Sequence, residues 1–305
     1  MTQRPTDQHP TDQSPTDQRP TDQRPTVRIS QPGGLGDLLL MTPALRALRR
    51  QQPDLHLTVY SRFPDLVGAL PTVDVALFSD RHEPDSVYPD YMPCRKDRHL
   101  AAIIGRCLGV EIEPADLRPE AQVDAALRSE YAARLSAYPR PWVFVQRRIG
   151  GFTDNKNWPE PHWQALLGAL GAQVTLVECA APAADTQSRH FMAPECQADV
   201  ARLTALIDVC DLFLGPVSGP LHLAAACHKP AVVIVGGFEE PWLTAYPGHV
   251  QLTAELPCAP CWVLEPCPIG KRCLQQTAPQ AVLAAVMAQV HRLEGETGIQ
   301  FWSQP

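Results

Sequence analysis

The chain has 305 residues, 45% apolar and 19% charged, with 26 Lys plus Arg against 33 Asp plus Glu and a formal charge of −7. That length suits about two domains, each able to bury its own core, and the composition is that of a compact globular protein. The acidic balance offers no basic face to nucleic acid or anionic lipid, and no apolar run approaches the roughly 20 residues that span a bilayer. The opening MTQRPTDQHP lacks the apolar stretch of an export signal, so a cytoplasmic protein is expected. Its ten cysteines are then expected as reduced thiols or metal ligands, not a disulfide framework.

From Pro5 the unit P-T-D-Q-x recurs as PTDQH, PTDQS, PTDQR and PTDQR and breaks off at Pro25-Thr26. With no aliphatic or aromatic side chain to offset the cost of ordering the backbone, residues 1–26 are expected to be a disordered, partly polyproline-like tail. Short β-rich runs then alternate with helical patterns. Residues 27–31 read as a strand, PGGLG as a tight turn, and 37–50 as a helix with apolar residues at three-to-four spacing. Strands are expected at 55–60 and 73–78, and helices at 97–108 and 121–137. The Pro-punctuated stretch 137–141 is the candidate hinge. The pattern restarts with strands at 142–146, 173–178, 212–214 and 231–235 and helices at 159–170, 198–209 and 218–227. Two alternating series imply two doubly wound, Rossmann-like α/β domains, here 27–138 and 139–305, facing across a cleft. Their ligands should lie in the loops after the strands.

Three such loops could carry chemistry. The first turn, Gly33-Gly34-Leu35-Gly36-Asp37, has glycines that let a ligand approach the backbone, but Leu39 stands where a dinucleotide fingerprint needs its third Gly. Asp37 reads equally as a helix cap and as a base on the cleft side; a helix N-terminus favours its ionised form. The second loop, Arg147 to Pro159, sets Arg147, Arg148 and Lys156 beside two glycines just before a helix, which suits an anion clamp as well as a solvated loop. The third, Gly215-Pro-Val-Ser-Gly-Pro-Leu-His222, starts a helix at a buried strand end, with Ser218 as a natural cap and free N–H groups able to hold a phosphate. His222 reads there as a packed histidine or as part of that phosphate site.

Gly36-Asp37-Leu38-Leu39, Lys156-Asn157-Trp158-Pro159 and Val217-Ser218-Gly219-Pro220-Leu221-His222-Leu223-Ala224, in this order, resemble the motifs of glycosyltransferase family 9, the heptosyltransferases. The resemblance spans roughly residues 27–290. It implies the glycosyltransferase-B architecture and inverting, metal-independent transfer from a nucleotide-diphosphate sugar, most often ADP-heptose, to a hydroxyl of a glycan, a protein or a small molecule. It further implies Asp37 as general base, Lys156 as diphosphate clamp, and Ser218, Gly219 and His222 as the phosphate-binding helix start. Gly34, Gly36 and Arg147 join them as donor-binding candidates, and Glu178, at a strand end, as a candidate for the donor ribose. Where the family usually has Asp before [ST]-G, this chain has Val217, which loses a carboxylate thought to help hold the donor sugar. A sugar-nucleotide epimerase and a non-catalytic nucleotide-sugar binder are the alternatives on the same architecture.

Four cysteines, Cys258, Cys261, Cys267 and Cys273, fall in the Pro-rich loop 257–275 with spacing C-x2-C-x5-C-x5-C. Such spacing can close a tetrahedral thiolate site on a structural zinc or iron, less readily an iron–sulfur cluster, and unmetallated thiols are the alternative. Cysteines near this place, including a C-x-P-C, recur in the family that the chain resembles, and some protein-modifying relatives hold iron through four of them.

Overall fold

The computed structural model describes residues 24–180 and 189–297. The expected tail lies outside the described residues up to position 23; from Arg24 the chain leads directly into the first strand.

The first domain holds a parallel three-stranded sheet in the order β1 (Thr26–Gln31), β2 (His56–Ser61), β3 (Val75–Phe78). Beyond β1 a single parallel bridge joins Ile29 to Val87. Helix α1 (Leu35–Gln51) crosses from β1 to β2 and buries Leu38, Leu39, Met41, Ala44, Leu45 and Leu48, the stripe expected from the sequence. A short α2 (Pro64–Gly68) follows β2, and α3 (Leu100–Cys107) packs beside α1.

The second domain is a parallel six-stranded sheet. Its strands are β4 (Trp142–Val145), β5 (Thr175–Glu178), β6 (His190–Met192), β7 (Leu212–Pro216), β8 (Ala231–Gly236) and β9 (His249–Thr253), ordered β6-β5-β4-β7-β8-β9. This is the doubly wound order, in which the winding reverses between β4 and β7 and leaves a crevice beyond their carboxyl ends. β4, β5, β7 and β8 are buried along their whole length, as parallel strands covered on both faces must be. Helices α5 (Glu160–Leu170), α6 (Val200–Val209), α7 (Gly219–Ala226), α8 (Arg272–Gln276) and α9 (Pro279–Thr297) supply the cover.

Helix α4 (Ala125–Leu135) stands on the first domain's side of the expected boundary, yet it packs on α6 of the second. Buried Tyr131 donates to Glu195 at 3.2 Å, Arg134 pairs with Glu195 at 2.6 Å and Arg128 with Asp208 at 2.6 Å. One apolar cluster runs from Ile29, Leu39 and Leu45 through Tyr131 into Leu206, Leu221 and Phe213. The domains therefore share a core along α4–α6 and α1–α7, with a crevice at the carboxyl ends of their strands. No helix among the described residues is long and apolar enough to cross a membrane.

Candidate active site in the crevice between the domains

The N-termini of α1 and α7 meet head to head, and the residues that allow it are glycines. A Cβ on Gly36 would stand 3.2 Å from the His222 ring, and one on Gly219 would stand 2.9 Å from Leu35 Cβ. With both side chains absent, the two sets of free helix N–H groups and the positive ends of both helix dipoles converge. Around them lies a crevice of about 600 Å³ lined by Gly34, Gly36, Asp37, Lys156, Ser218, Gly219 and His222, together with Arg62, Tyr91, Phe152, Glu239 and Thr244.

Asp37 is both cap and cleft residue. It occupies the third position of α1, and its Oδ2 accepts the Gly34 N–H at 2.9 Å. Its Oδ1 accepts the Tyr91 hydroxyl at 2.6 Å. Gly33 makes room for this arrangement, since a Cβ there would stand 2.8 Å from Asp37 Oδ2. Burial, and then the Asp37 charge, push the Tyr91 phenol above its ordinary value, so it stays a donor. Two donors thus fix the orientation of the carboxylate beside a helix N-terminus.

Across the crevice, Lys156 is nearly buried and its ammonium lies 2.6 Å from Glu239 Oε1. Although the pair is close, Oε1 makes no well-directed hydrogen bond. The Phe238 ring sits 4.9 Å from the same ammonium and that of Phe152 at 5.7 Å. Ser218 takes the N-cap position of α7, but its hydroxyl donates to Pro216 O at 3.2 Å and does not cap the helix. The helix entrance is thus uncapped by a side chain and faces the crevice. His222 is buried, with Nδ1 2.7 Å from the Tyr246 hydroxyl. Burial, reinforced by nearby His99 and Lys156, pushes its pKa down to about 3, so it is neutral. When the Tyr246 O–H donates to Nδ1, the ring proton lies on Nε2, toward Gly36. Asp37, Lys156 and the start of α7 thus share one crevice.

The profile of glycosyltransferase family 9 (heptosyltransferase) matches residues 75–265. The chain belongs to glycosyltransferase family 9. A family 9 glycosyltransferase from Veillonella parvula superposes with a TM-score of 0.64 at 14% identity, covering 88% of this chain and 97% of that one. For ADP-heptose LPS heptosyltransferase II of E. coli the values are 0.62, 16%, 88% and 99%. For TibC, an iron-containing dodecameric glycosyltransferase of enterotoxigenic E. coli, they are 0.65, 16%, 90% and 81%. No curated protein sequence matches the chain. These structures share the two-domain glycosyltransferase-B fold with this family 9 chain.

Arg147 and Glu178 lie in a neighbouring lobe of about 690 Å³, which also includes Arg148, Glu160, Cys179 and Cys196. Both Glu178 oxygens are taken, one by Arg147 Nε at 2.6 Å and one by His190 Nε2 at 2.6 Å, and Arg147 also reaches Glu160 at 3.3 Å. Arg147, Glu178 and Glu160 thus form one ion-pair cluster beside the crevice. Trp158 of the K-x-W-P motif is an anchor: it is buried, edge-on to Trp163 at 5.0 Å, and its Nε1 donates to Leu274 O and Thr277 O.

The cysteine loop braces both sides of the Lys156–Glu239 pair. Buried Asn155 donates to Val263 O at 2.6 Å and Glu265 O at 2.8 Å and accepts from Cys267 N at 3.2 Å. Lys271 pairs with Asp154 at 2.6 Å. On the other side, Cys261 N and Trp262 N donate to Gly237 O and Phe238 O at 3.1 and 3.0 Å. The four thiols are free, Cys258 being exposed. Among the described residues no three His, Cys, Asp or Glu side chains group as ligands of one metal ion.

Tyr91, Glu239 and Thr244 were not identified from the sequence. Tyr91 stands 54 positions from Asp37 in a loop without periodicity. Glu239 and Thr244 belong to the β8–β9 connection, which carries no motif. The one available signal was the position of Glu239 just beyond a buried strand, where ligands of such sheets gather.

Proposed function

We propose that this family 9 glycosyltransferase moves a heptose from ADP-heptose to an acceptor hydroxyl with inversion at the anomeric carbon. The observation that carries the reading is the single crevice that gathers Asp37, Lys156 and the start of α7. ADP or ADP-heptose is bound in solved heptosyltransferases of this fold, WaaC and TibC.

In this reading the diphosphate rests between the Lys156 ammonium and the uncapped N–H groups of α7, where fixed charge and dipoles meet phosphate oxygens without reorganising. Asp37 takes the proton of the acceptor hydroxyl as that oxygen attacks the anomeric carbon. The bond to the diphosphate breaks and ADP leaves with the electron pair, its developing charge met by Lys156 and the helix. General-base assistance of this kind supplies on the order of 10²–10⁴ in rate.

The test is incubation with ADP-heptose, with and without candidate glycan, protein and small-molecule acceptors, followed by product analysis. A heptosylated acceptor plus ADP supports transfer. An altered sugar nucleotide formed without acceptor would replace transfer by epimerisation, and binding without turnover would replace it by a non-catalytic role.

A further inference from the structure

Position 217, beyond the end of β7, holds a buried valine where the family motif carries a carboxylate, so the crevice wall at that strand end is apolar. The neighbouring strand β8, hydrogen-bonded alongside with Pro216 opposite Ile234, feeds the loop that brings Glu239 and then Thr244 into the same crevice. Both are almost wholly buried, 4% and 1% exposed. Thr244 Oγ1 has no hydrogen bond, whereas Glu239 Oε1 has the Lys156 ammonium 2.6 Å away as its partner. Buried polar oxygens are normally satisfied, and leaving one unmade costs roughly 1–3 kcal/mol. An unpaired buried hydroxyl beside a carboxylate that is held by Lys156 makes this wall of the crevice a place for hydrogen bonds from a ligand.

We infer that Glu239 and Thr244 recognise the hydroxyls of the donor's sugar, the carboxylate just beyond β8 standing in for the one missing at 217. This rests on the transfer reading above. In the free protein Glu239 holds the Lys156 ammonium; once a diphosphate engages Lys156, the Glu239 carboxylate lies beside like charge. A sugar hydroxyl donating to Glu239 relieves that conflict, since a hydrogen bond to a buried carboxylate is among the stronger ones. A bare nucleoside diphosphate brings no such hydroxyl and meets only the repulsion. Glu239 therefore favours nucleotide sugar over nucleotide, and so favours release of the product ADP. The cysteine loop holds this wall in place through its bonds to Gly237 and Phe238.

The experiment compares ADP and ADP-heptose binding by calorimetry in the unaltered protein, Glu239→Gln and Thr244→Val. Glu239→Gln is expected to lose roughly ten- to hundredfold in affinity for ADP-heptose while its affinity for ADP holds or rises. Thr244→Val, close in shape, is expected to weaken ADP-heptose binding several-fold and leave ADP unchanged. Equal shifts for both ligands in both variants would overturn the inference, because a residue acting only through Lys156 moves ADP as well. A Glu239→Gln protein that fails to fold leaves Thr244→Val to decide by the same comparison. Failure of the unaltered protein to bind ADP-heptose would overturn the transfer reading itself.

Discussion

Asp37→Asn separates the cap that Asp37 forms from the general base proposed for it. Asp37 accepts from Gly34 N–H and from Tyr91 O–H through different oxygens. An asparagine has one carbonyl oxygen, so one of these bonds is lost and the amide cannot take a proton. Losing a capping interaction costs about 0.5–2 kcal/mol. Against a folding free energy of roughly 5–15 kcal/mol, that still leaves about 99% or more of the protein folded. The expected fall in Tm is a few degrees, at roughly 2–4 °C per kcal/mol for a chain of this size. Unfolding therefore cannot account for a large loss of rate, whereas loss of a general base should lower turnover by about 10²–10⁴. The assay is ADP release from ADP-heptose with acceptor, alongside calorimetric donor affinity and thermal unfolding of the same preparation. A variant that keeps donor affinity and loses the rate supports the base. Turnover within a few-fold of the unaltered protein would reduce Asp37 to a cap, and the mechanism would need another base.

Lys156→Ala leaves the Glu239 carboxylate buried without its cation, so donor affinity should fall and stability with it, by about 3–5 kcal/mol for a broken buried pair; unchanged ADP affinity by calorimetry would refute the clamp. Acid should loosen the domain junction, where Tyr246 packs against His99, His222 and His249. Burial pushes these imidazoles down to about 4, 3 and 4. Each binds fewer protons folded than unfolded, so stability is full above the unfolded value near 6.5 and is lost as pH falls toward 4, by on the order of 2 kcal/mol apiece at about pH 5. A Tm that does not change between neutral pH and about pH 5 would contradict buried neutral rings. Asn155→Ala removes three bonds that hold the cysteine loop, and Cys261 and Cys267 should then react faster with a thiol reagent. Unchanged reactivity, with an equivalent of zinc or iron in the purified protein, would put a metal in charge of that loop.

The close packing of Gly36 on His222 and of Gly219 on Leu35 shows why some of this was legible in the sequence and some was not. Each glycine sits in a local pattern, strand then glycine turn then apolar helix, and such patterns are set by neighbours a few residues away. The parallel sheets follow for the same reason: β4 and β8 are unbroken apolar runs that only a doubly covered strand can bury. β6 and β9 were not anticipated because His190–Met192 and His249–Thr253 lack such a run and take their strand form from the neighbour each pairs with. The same distinction divides the site. Asp37, Lys156 and Ser218 open local motifs, whereas Tyr91, Glu239 and Thr244 reach the crevice from irregular loops whose course tertiary packing decides. The cysteines mark the limit of spacing as a guide, since C-x2-C suggests a site but the loop is positioned by Asn155 and Lys271, which the spacing does not contain. Residues that chemistry requires at one point can be supplied by any strand end that opens there, so a carboxylate missing at 217 says less about this enzyme than what the next strand brings to the same wall.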